Sequence, residues 1–164
     1  MGTLYSTIID AFKTRAEEDI NFFNYVNLYP EEAELIIQLR CSNFLNEAIA
    51  YLCLKTSPTV DFYDKDDVNE QFNFELTGKE IQLFAYIMYQ QYMFRDVAKL
   101  KCLDVNYTAT DLRVFDPSNA RSTFNELYKT ICEQNNVLID AYASQNRDTG
   151  KYLGIDFLSY EENE

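Results

Sequence analysis

The sequence contains no histidine and no tryptophan, and only four of its 164 residues are glycine. Histidine is the one side chain whose ordinary pKa lies near neutral pH, so its absence removes the usual proton carrier of acid–base and nucleophilic catalysis. The four glycines are too scattered to form a phosphate-binding loop. We therefore expect no catalytic residues, no cofactor and no enzymatic activity, and we interpret the chain as a structural or interaction protein.

Metal-ligating and membrane-spanning patterns are also missing. The cysteines Cys41, Cys53, Cys102 and Cys132 stand at wide intervals without a CxxC pair. Because no histidine completes a zinc-binding set, we expect no metal site and four reduced, apolar cysteines in a cytoplasmic setting. No apolar run approaches the roughly 20 residues that cross a bilayer, and the N-terminus does not resemble a signal peptide. We expect a single soluble domain without a membrane partner.

Tyrosine, phenylalanine and acidic residues are what the sequence has in abundance. It has 13 Tyr and 12 Phe, and its 27 acidic and 14 basic residues give a net charge of −13. Tyrosine suits subunit interfaces because it joins an apolar ring to a polar tip. The negative charge disfavours adhesion to nucleic acid or to an anionic membrane. The charge thus indicates simple solubility, a surface that repels DNA, or a surface that imitates DNA.

The first half of the chain predicts two helices. Leu4, Ile8 and Phe12 recur at helical spacing, which predicts a helix over residues 3–26. Thr14–Glu17 fits a capping box, so this helix is expected to break or kink near Thr14. A second helix is predicted from Pro30, a favoured first-turn residue, to about Pro58.

The second half predicts two further helices. Thr77 and Glu80 form a capping-box pattern before a segment that is apolar on most sides, so this helix is expected at the centre of the fold. Pro117 follows a cap residue and begins the last helix, which is predicted to end near Arg147. Asn135 interrupts its apolar stripe and would need a hydrogen-bond partner if buried.

Between the second and third predicted helices, apolar and polar residues alternate. Phe72, Phe74 and Leu76 alternate with polar residues and predict a strand, with a short partner strand around Val60 and Phe62. The whole hairpin is expected at about residues 59–76. Between the strands lies a polar loop whose candidate acidic residues are Asp64, Asp66 and Asp67. We interpret it as a solvated, contact or channel-facing loop rather than a calcium loop, because the required ligand and glycine positions carry other residues.

The last residues, 148–164, are too apolar for a solvated tail. We predict that they form an extended C-terminal docking arm on an otherwise mainly α fold, a four-helix core with a small β-hairpin. The candidate interface residues, in this arm and in the hairpin, are Tyr152, Leu153, Ile155, Phe157, Leu158, Tyr160, Phe72 and Phe74.

Several short sequence elements occur in an order that resembles a known family. They are Phe12, Glu18-Asp19, Phe22–Tyr25, Leu76-Thr77, Glu80, Ala85, Met88, Tyr92, Tyr107-Thr108, Asp111-Leu112, Phe115, Pro117–Ala120, Tyr142–Ser144 and Arg147. Over most of residues 4–147 the chain resembles the neck or head–tail connector (adaptor) proteins of tailed bacteriophages.

The resemblance implies a function as well as a helical fold. It implies a homo-oligomeric ring, commonly a dodecamer, that joins the portal protein to other neck or tail proteins in the virion and surrounds the DNA exit path without binding DNA specifically. Assembly would take place in the host cytoplasm. Residues 1–147 would then be the helical connector domain and residues 148–164 its docking arm. The alternative from a different class is an acidic DNA-mimic inhibitor of a DNA-binding protein.

Overall fold

Four helices and a two-stranded antiparallel hairpin make up the described part of the protein, which confirms the predicted mainly α architecture. The computed structural model describes residues 2–16, 29–106 and 117–154. The elements in chain order are α1 (Tyr5–Ala16), α2 (Pro30–Lys55), β1 (Lys65–Asp66), β2 (Gln71–Phe72), α3 (Gly78–Asn106) and α4 (Pro117–Ala143).

Helix α3 lies at the centre of the fold, as its apolar sequence predicts. It packs against α1, α2 and α4. Its N-terminus has the predicted capping box: the Thr77 N–H donates to Glu80 Oε2 at 2.7 Å, and the Glu80 N–H donates to Thr77 Oγ1 at 3.3 Å. This reciprocal pair satisfies two backbone donors that a helix start leaves unpaired. Phe84, Ile87 and Met88 then enter the core with no exposed surface.

The capping box predicted at Thr14 is wrong. Thr14 lies inside α1, and its hydroxyl donates to the Asp10 carbonyl oxygen one turn earlier at 2.9 Å. A threonine hydroxyl that is bonded in this way belongs to a helix interior, not to a cap. The helix begins at Tyr5 rather than at residue 3, because the backbone of Thr3 pairs with the hairpin. The rest of the predicted segment, residues 17–26, lies outside the described residues.

Helix α2 follows its sequence pattern closely. Pro30 occupies its first turn, with Glu31 and Glu32 beside it at the positive end of the helix dipole. The buried face consists of Cys41, Phe44, Leu45, Ala48, Ile49 and Leu52. Burying side chains of this kind contributes roughly 1.5–3 kcal/mol each to the free energy of unfolding.

The hairpin pairs differently from the prediction. Lys65 and Asp66 pair with Phe72 and Gln71, so the partner strand is Lys65–Asp66 and not the segment around Val60 and Phe62. Phe62 is buried, but it reaches the core from a turn. The predicted acidic loop is accordingly shorter, since Asp66 belongs to the first strand.

The N-terminal residues add to the other edge of β2. The Phe72 N–H donates to the Thr3 carbonyl oxygen at 2.9 Å, and the Thr3 N–H donates to the Phe74 carbonyl oxygen at 3.1 Å. This backbone approach requires glycine at position 2, because a Cβ on Gly2 would lie 2.0 Å from the Phe72 carbonyl oxygen. The pairing fixes the start of α1 against the hairpin.

The chain reverses direction after α4. Helix α4 ends at Ala143 rather than near Arg147, and Gln145 forms an antiparallel bridge with Tyr152. The Asn146 N–H donates to the Lys151 carbonyl oxygen at 2.8 Å, and Gly150 supplies the positive φ of 65° in the turn. The arm boundary expected after Arg147 therefore falls inside this C-terminal turn, residues 144–153, and residues 155–164 lie outside the described residues.

Among the helices of the described ranges, none combines the length and apolar character that a membrane-spanning segment needs.

Candidate interaction groove

Three adjoining hollows on the surface of α3 share one side chain, Tyr86. The first, of about 420 Å³, lies between α3, α4 and the C-terminal turn. The second, of about 480 Å³, lies between α1 and α3, and the third, of about 400 Å³, is bounded by Arg15, Tyr86 and the middle of α4. Since helices α1 and α4 both pack on α3, these hollows are the depression that remains between them. We call them together the Tyr86 groove.

The wall of the groove on α4 is apolar and uncovered. Val137 and Leu138 lie on this wall and are 67% and 40% exposed. Leu83 and Ala141 line the first hollow, where the surface is mostly apolar. Exposed large apolar side chains that adjoin a concave surface are typical of interaction sites.

The charged residues of the groove are all basic. Among the described residues that line the three hollows, Arg15 and Lys79 are charged, and none is Asp or Glu. The chain as a whole has 27 acidic residues, so a basic hollow on this protein is a local exception. It indicates a ligand that carries negative charge.

Arg15 lies over the aromatic floor of the groove. Its guanidinium carbon is 3.8 Å from the ring centroid of Tyr86 and 5.5 Å from that of Tyr89. This stacking holds the cation over the ring faces by cation–π attraction. The Arg15 Nε is buried and has no hydrogen-bond partner within the described part of the chain. A buried donor without an acceptor is costly, and an incoming acceptor would remove this cost.

A buried amide pair supports the groove from below. Asn135 is 2% exposed, and its Nδ2 donates to the Tyr86 carbonyl oxygen at 3.1 Å and to Gln90 Oε1 at 2.8 Å. The expectation that Asn135 would need a partner is thus confirmed. The two hydrogen bonds tie α4 to α3 at the position of Tyr86.

We expect the substitution Asn135→Ala to lower the free energy of unfolding by about 1–3 kcal/mol, because it leaves the buried Gln90 oxygen without its donor. Urea unfolding monitored by circular dichroism measures this change. The adjacent Gln134→Ala is the control, since Gln134 is exposed and should change stability by less than about 0.5 kcal/mol. Equal losses in both variants would contradict the role assigned to Asn135.

A buried ion pair fixes the C-terminal turn at one end of the groove. Glu80 has no exposed surface, and its carboxylate accepts hydrogen bonds from Arg147 Nε at 2.8 Å, Arg147 Nη2 at 3.1 Å and Tyr142 Oη at 2.9 Å. Arg147 Nη2 also donates to the Glu75 carbonyl oxygen at 2.6 Å. One arginine therefore joins the C-terminal turn to the start of α3. We call Glu80, Tyr142 and Arg147 the Glu80 cluster.

The Glu80 cluster perturbs the pKa of each member. Burial acts to raise the pKa of Glu80, but the hydrogen bonds from Arg147, from the Thr77 backbone and from Tyr142 outweigh it and lower this pKa. Burial and the Glu80 carboxylate raise the pKa of Tyr142, and the hydrogen bond to Glu80 raises the pKa of Arg147. All three groups therefore keep their usual neutral-pH charges, and the cluster contains an intact ion pair.

The candidate interface residues divide into three groups. Tyr152 and Leu153 lie at the end of the C-terminal turn and are 73% and 58% exposed, so they remain candidates for contact. Phe72 is 0% exposed, and its ring contacts those of Tyr5 and Phe84. Assigning Phe72 to an interface is therefore wrong, because its side of the strand faces the protomer core.

Phe74 is partly buried, packs beside Phe72 and Phe62, and has the Arg147 guanidinium 5.7 Å from its ring centroid. Its main contacts are thus within the protomer. The remaining candidates are outside the described residues: Ile155, Phe157, Leu158 and Tyr160.

The acidic loop residues stabilise the hairpin turn. Asp66 accepts hydrogen bonds from the Asn69 side chain and from the backbone N–H groups of Val68 and Asn69, and Asp64 accepts one from the Asn73 side chain. Asp67 accepts from Tyr5 Oη at 2.9 Å and from Lys65 Nζ at 2.8 Å. These bonds lower the pKa of Asp66, through Asn69 first, and that of Asp67, through Lys65 first. Within the described ranges, no group of three or more potential ligands is placed to hold a metal ion.

The sequence interpretation missed Arg15 and Tyr86, since Arg15 was placed in a capping box and Tyr86 lay on neither apolar face of its helix. A usable signal was the spacing of Gln82, Tyr86 and Tyr89, which puts a polar–aromatic stripe on one side of α3.

Comparisons with protein-family profiles, with curated proteins and with solved structures give no match to this chain, so the interpretation of the groove depends on its own residues.

Proposed function

We propose that this protein is a structural subunit of a homo-oligomeric ring in the neck of a tailed bacteriophage, where it joins the portal to the tail and surrounds the DNA exit path. Support comes from the family resemblance of the sequence and from the distribution of its aromatic residues. The virion neck is the proposed location, and portal and other neck proteins are the proposed partners.

The observation that carries the proposal is that the fully buried aromatic side chains are phenylalanines, whereas most of the described tyrosines keep part of their surface exposed. The fully buried aromatic residues of the core are phenylalanines: Phe12, Phe44, Phe62, Phe72 and Phe84. Ten tyrosines belong to the described residues, and of these only Tyr5 and Tyr92 are buried. Tyr29, Tyr63 and Tyr152 are mostly exposed, and exposed tyrosines of this kind are expected where a second chain covers them.

The net charge fits the same assembly. A ring around exiting DNA must not hold the phosphates, and tight binding of DNA depends on Lys and Arg that neutralise them. With a net charge of −13, a channel wall made of this chain would repel the DNA and let it pass. The acidic surface fits DNA mimicry as well, so an acidic inhibitor of a DNA-binding protein is the alternative function.

Electron microscopy of the purified full-length protein tests the proposal, both alone and after mixing with the portal protein encoded in the same genome. We expect closed rings with a central opening, either alone or stacked coaxially on the portal. Single particles of protomer size that do not associate with the portal at any concentration would contradict the proposal. Inhibition of a DNA-binding enzyme by such particles would favour the mimic.

A further inference from the structure

We infer that the Tyr86 groove of one copy binds residues 155–164 of a neighbouring copy. The inference rests on the proposed function, because this contact would join adjacent subunits of the ring. It assigns a binding surface and an occupant, and it depends on charge, apolar character and length.

Charge complementarity is the first argument. Residues 155–164 contain four acidic residues and no Lys or Arg: Asp156, Glu161, Glu162 and Glu164. The described lining of the groove contains two cations and no acidic residue. The Arg15 guanidinium, whose Nε has no hydrogen-bond partner in the described part of the chain, can donate hydrogen bonds to a carboxylate of the segment. A charge-assisted hydrogen bond of this kind is stronger than one between neutral groups.

Apolar character and length agree with the charges. Between its acidic residues the segment carries Ile155, Phe157, Leu158 and Tyr160, which suit the exposed apolar wall of α4. The groove follows α3 from Lys79 to Tyr89, a span of about 15 Å at the helical rise per residue. A ten-residue segment reaches about 33 Å when extended, so it is long enough to lie along the whole groove.

The proposed ring assigns the segment to a neighbouring copy rather than to the same copy. The C-terminal turn is fixed on its own protomer by the Glu80 cluster and by the bond from the Leu153 N–H to the Ser144 carbonyl oxygen. At the end of this turn, Tyr152 and Leu153 keep most of their surface exposed. Their side chains are thus accessible to another chain.

The pairing also generates the proposed symmetry. The groove and the segment are two different surfaces of one chain, so their contact is heterologous. Heterologous contacts between identical subunits produce closed rings when the rotation closes. Each subunit would therefore provide a groove that binds the segment of the adjacent subunit.

Photo-crosslinking of the full-length protein tests the inference directly. The variant Phe157→p-benzoylphenylalanine places a reactive group within the segment, and mixing chains of normal and ¹⁵N-labelled protein distinguishes contacts between copies from contacts within one copy. We expect crosslinks to the groove residues of α1, α3 and α4 in peptides of mixed isotope. Crosslinks at another surface, an absence of crosslinks, or crosslinks only within single-isotope chains would overturn the inference.

Charge variants test the assigned complementarity. Arg15→Met should raise about tenfold the protein concentration that gives half-maximal mixed-isotope crosslinking, because one charge-assisted hydrogen bond is lost. Lys13→Met is the matched control, since Lys13 is two residues away on α1 and does not line the groove. Changing Asp156, Glu161, Glu162 and Glu164 together to their amides should have at least the effect of Arg15→Met without touching the described fold. No response to either the Arg15 or the segment variant would overturn the inference.

The two proposals fail in different ways. If closed rings form but the segment crosslinks elsewhere, the inference is wrong and the proposed function stands. If mixed-isotope crosslinks map to the groove but the particles are dimers or open filaments, the groove binds the segment and the ring is wrong.

Discussion

Replacing Arg147 with methionine is expected to lower the free energy of unfolding by about 3–5 kcal/mol, because it leaves the buried Glu80 carboxylate without its cation. Methionine keeps an apolar side chain beside the Phe74 ring, so the change mainly removes the charge. The C-terminal turn, which Arg147 ties to the Glu75 carbonyl and to Glu80, should lose its fixed position. Urea unfolding at neutral pH measures the loss.

The matched control is Arg95→Met. Arg95 also pairs with a glutamate, Glu47, and its guanidinium also lies over a phenylalanine ring, but both charged side chains are roughly 40% exposed. Exposed pairs contribute only about 0–1 kcal/mol. Similar losses of unfolding free energy in Arg147→Met and Arg95→Met would show that the burial of Glu80 does not determine the effect of removing Arg147.

The pH dependence of the free energy of unfolding is a second test of the role of the Glu80–Arg147 pair. The folded-state pKa of Glu80 is lowered, so its contribution to stability is fully present above the unfolded value of about 4.3 and is lost as the pH falls through the folded value. The stability difference between the wild type and Arg147→Met should therefore shrink in acid. A difference that stays constant to the lowest pH at which both fold would contradict this account of the cluster.

Phe72→Ala is expected to cost about 3–5 kcal/mol of protomer stability, because it removes a fully buried ring from the core. The ring lies 5.4 Å from that of Tyr5 and 6.2 Å, stacked, from that of Phe84. Thermal and urea unfolding at low protein concentration, where assembly contributes least, measure the loss.

Tyr152→Ala is the paired control for Phe72→Ala. Tyr152 is 73% exposed, so its removal should change protomer stability by less than about 0.5 kcal/mol. The reverse result, a stable Phe72 variant and an unfolded Tyr152 variant, would restore the interface role that the sequence alone suggested for Phe72.

The helices were predictable because their signals are local. Pro30 and the Thr77–Glu80 box mark helix starts through backbone donors within a few residues, and an apolar pattern on most sides of α3 placed it at the centre. Asn135 was predictable as a polar residue on an apolar stripe, although its partners, Tyr86 and Gln90, were not.

The pairing of the hairpin strands could not be predicted from local sequence patterns. Alternation identified the Phe72 strand but not its partners, because strand pairing depends on backbone register and not on side-chain type alone. The second partner of β2 is the N-terminus, about 70 residues away, where the Thr3 carbonyl oxygen accepts a hydrogen bond from the Phe72 N–H. Phe62 and Phe72 are both buried. Their places in the core therefore explain the apolar pattern that had suggested paired strands at these two residues.

The Tyr86 groove was not predictable for a similar reason. Arg15 and Tyr86 are 71 residues apart in sequence and meet only when α1 packs on α3. The composition of the tail predicts a docking segment, but a complementary surface can be found only from the fold. The internal hydrogen-bond partners of Asp64, Asp66 and Asp67 were not predictable either, because they arise from the turn geometry.

The central claim is that the exposed aromatic and apolar residues of this chain serve to join identical copies into a ring. Its most direct test is the mass of the purified full-length protein in solution, measured by light scattering after size-exclusion chromatography over a range of concentrations. The account predicts one closed species at a fixed integer multiple of the chain mass that persists on dilution into the micromolar range. A single-chain mass at every concentration, with or without the portal protein, would contradict it.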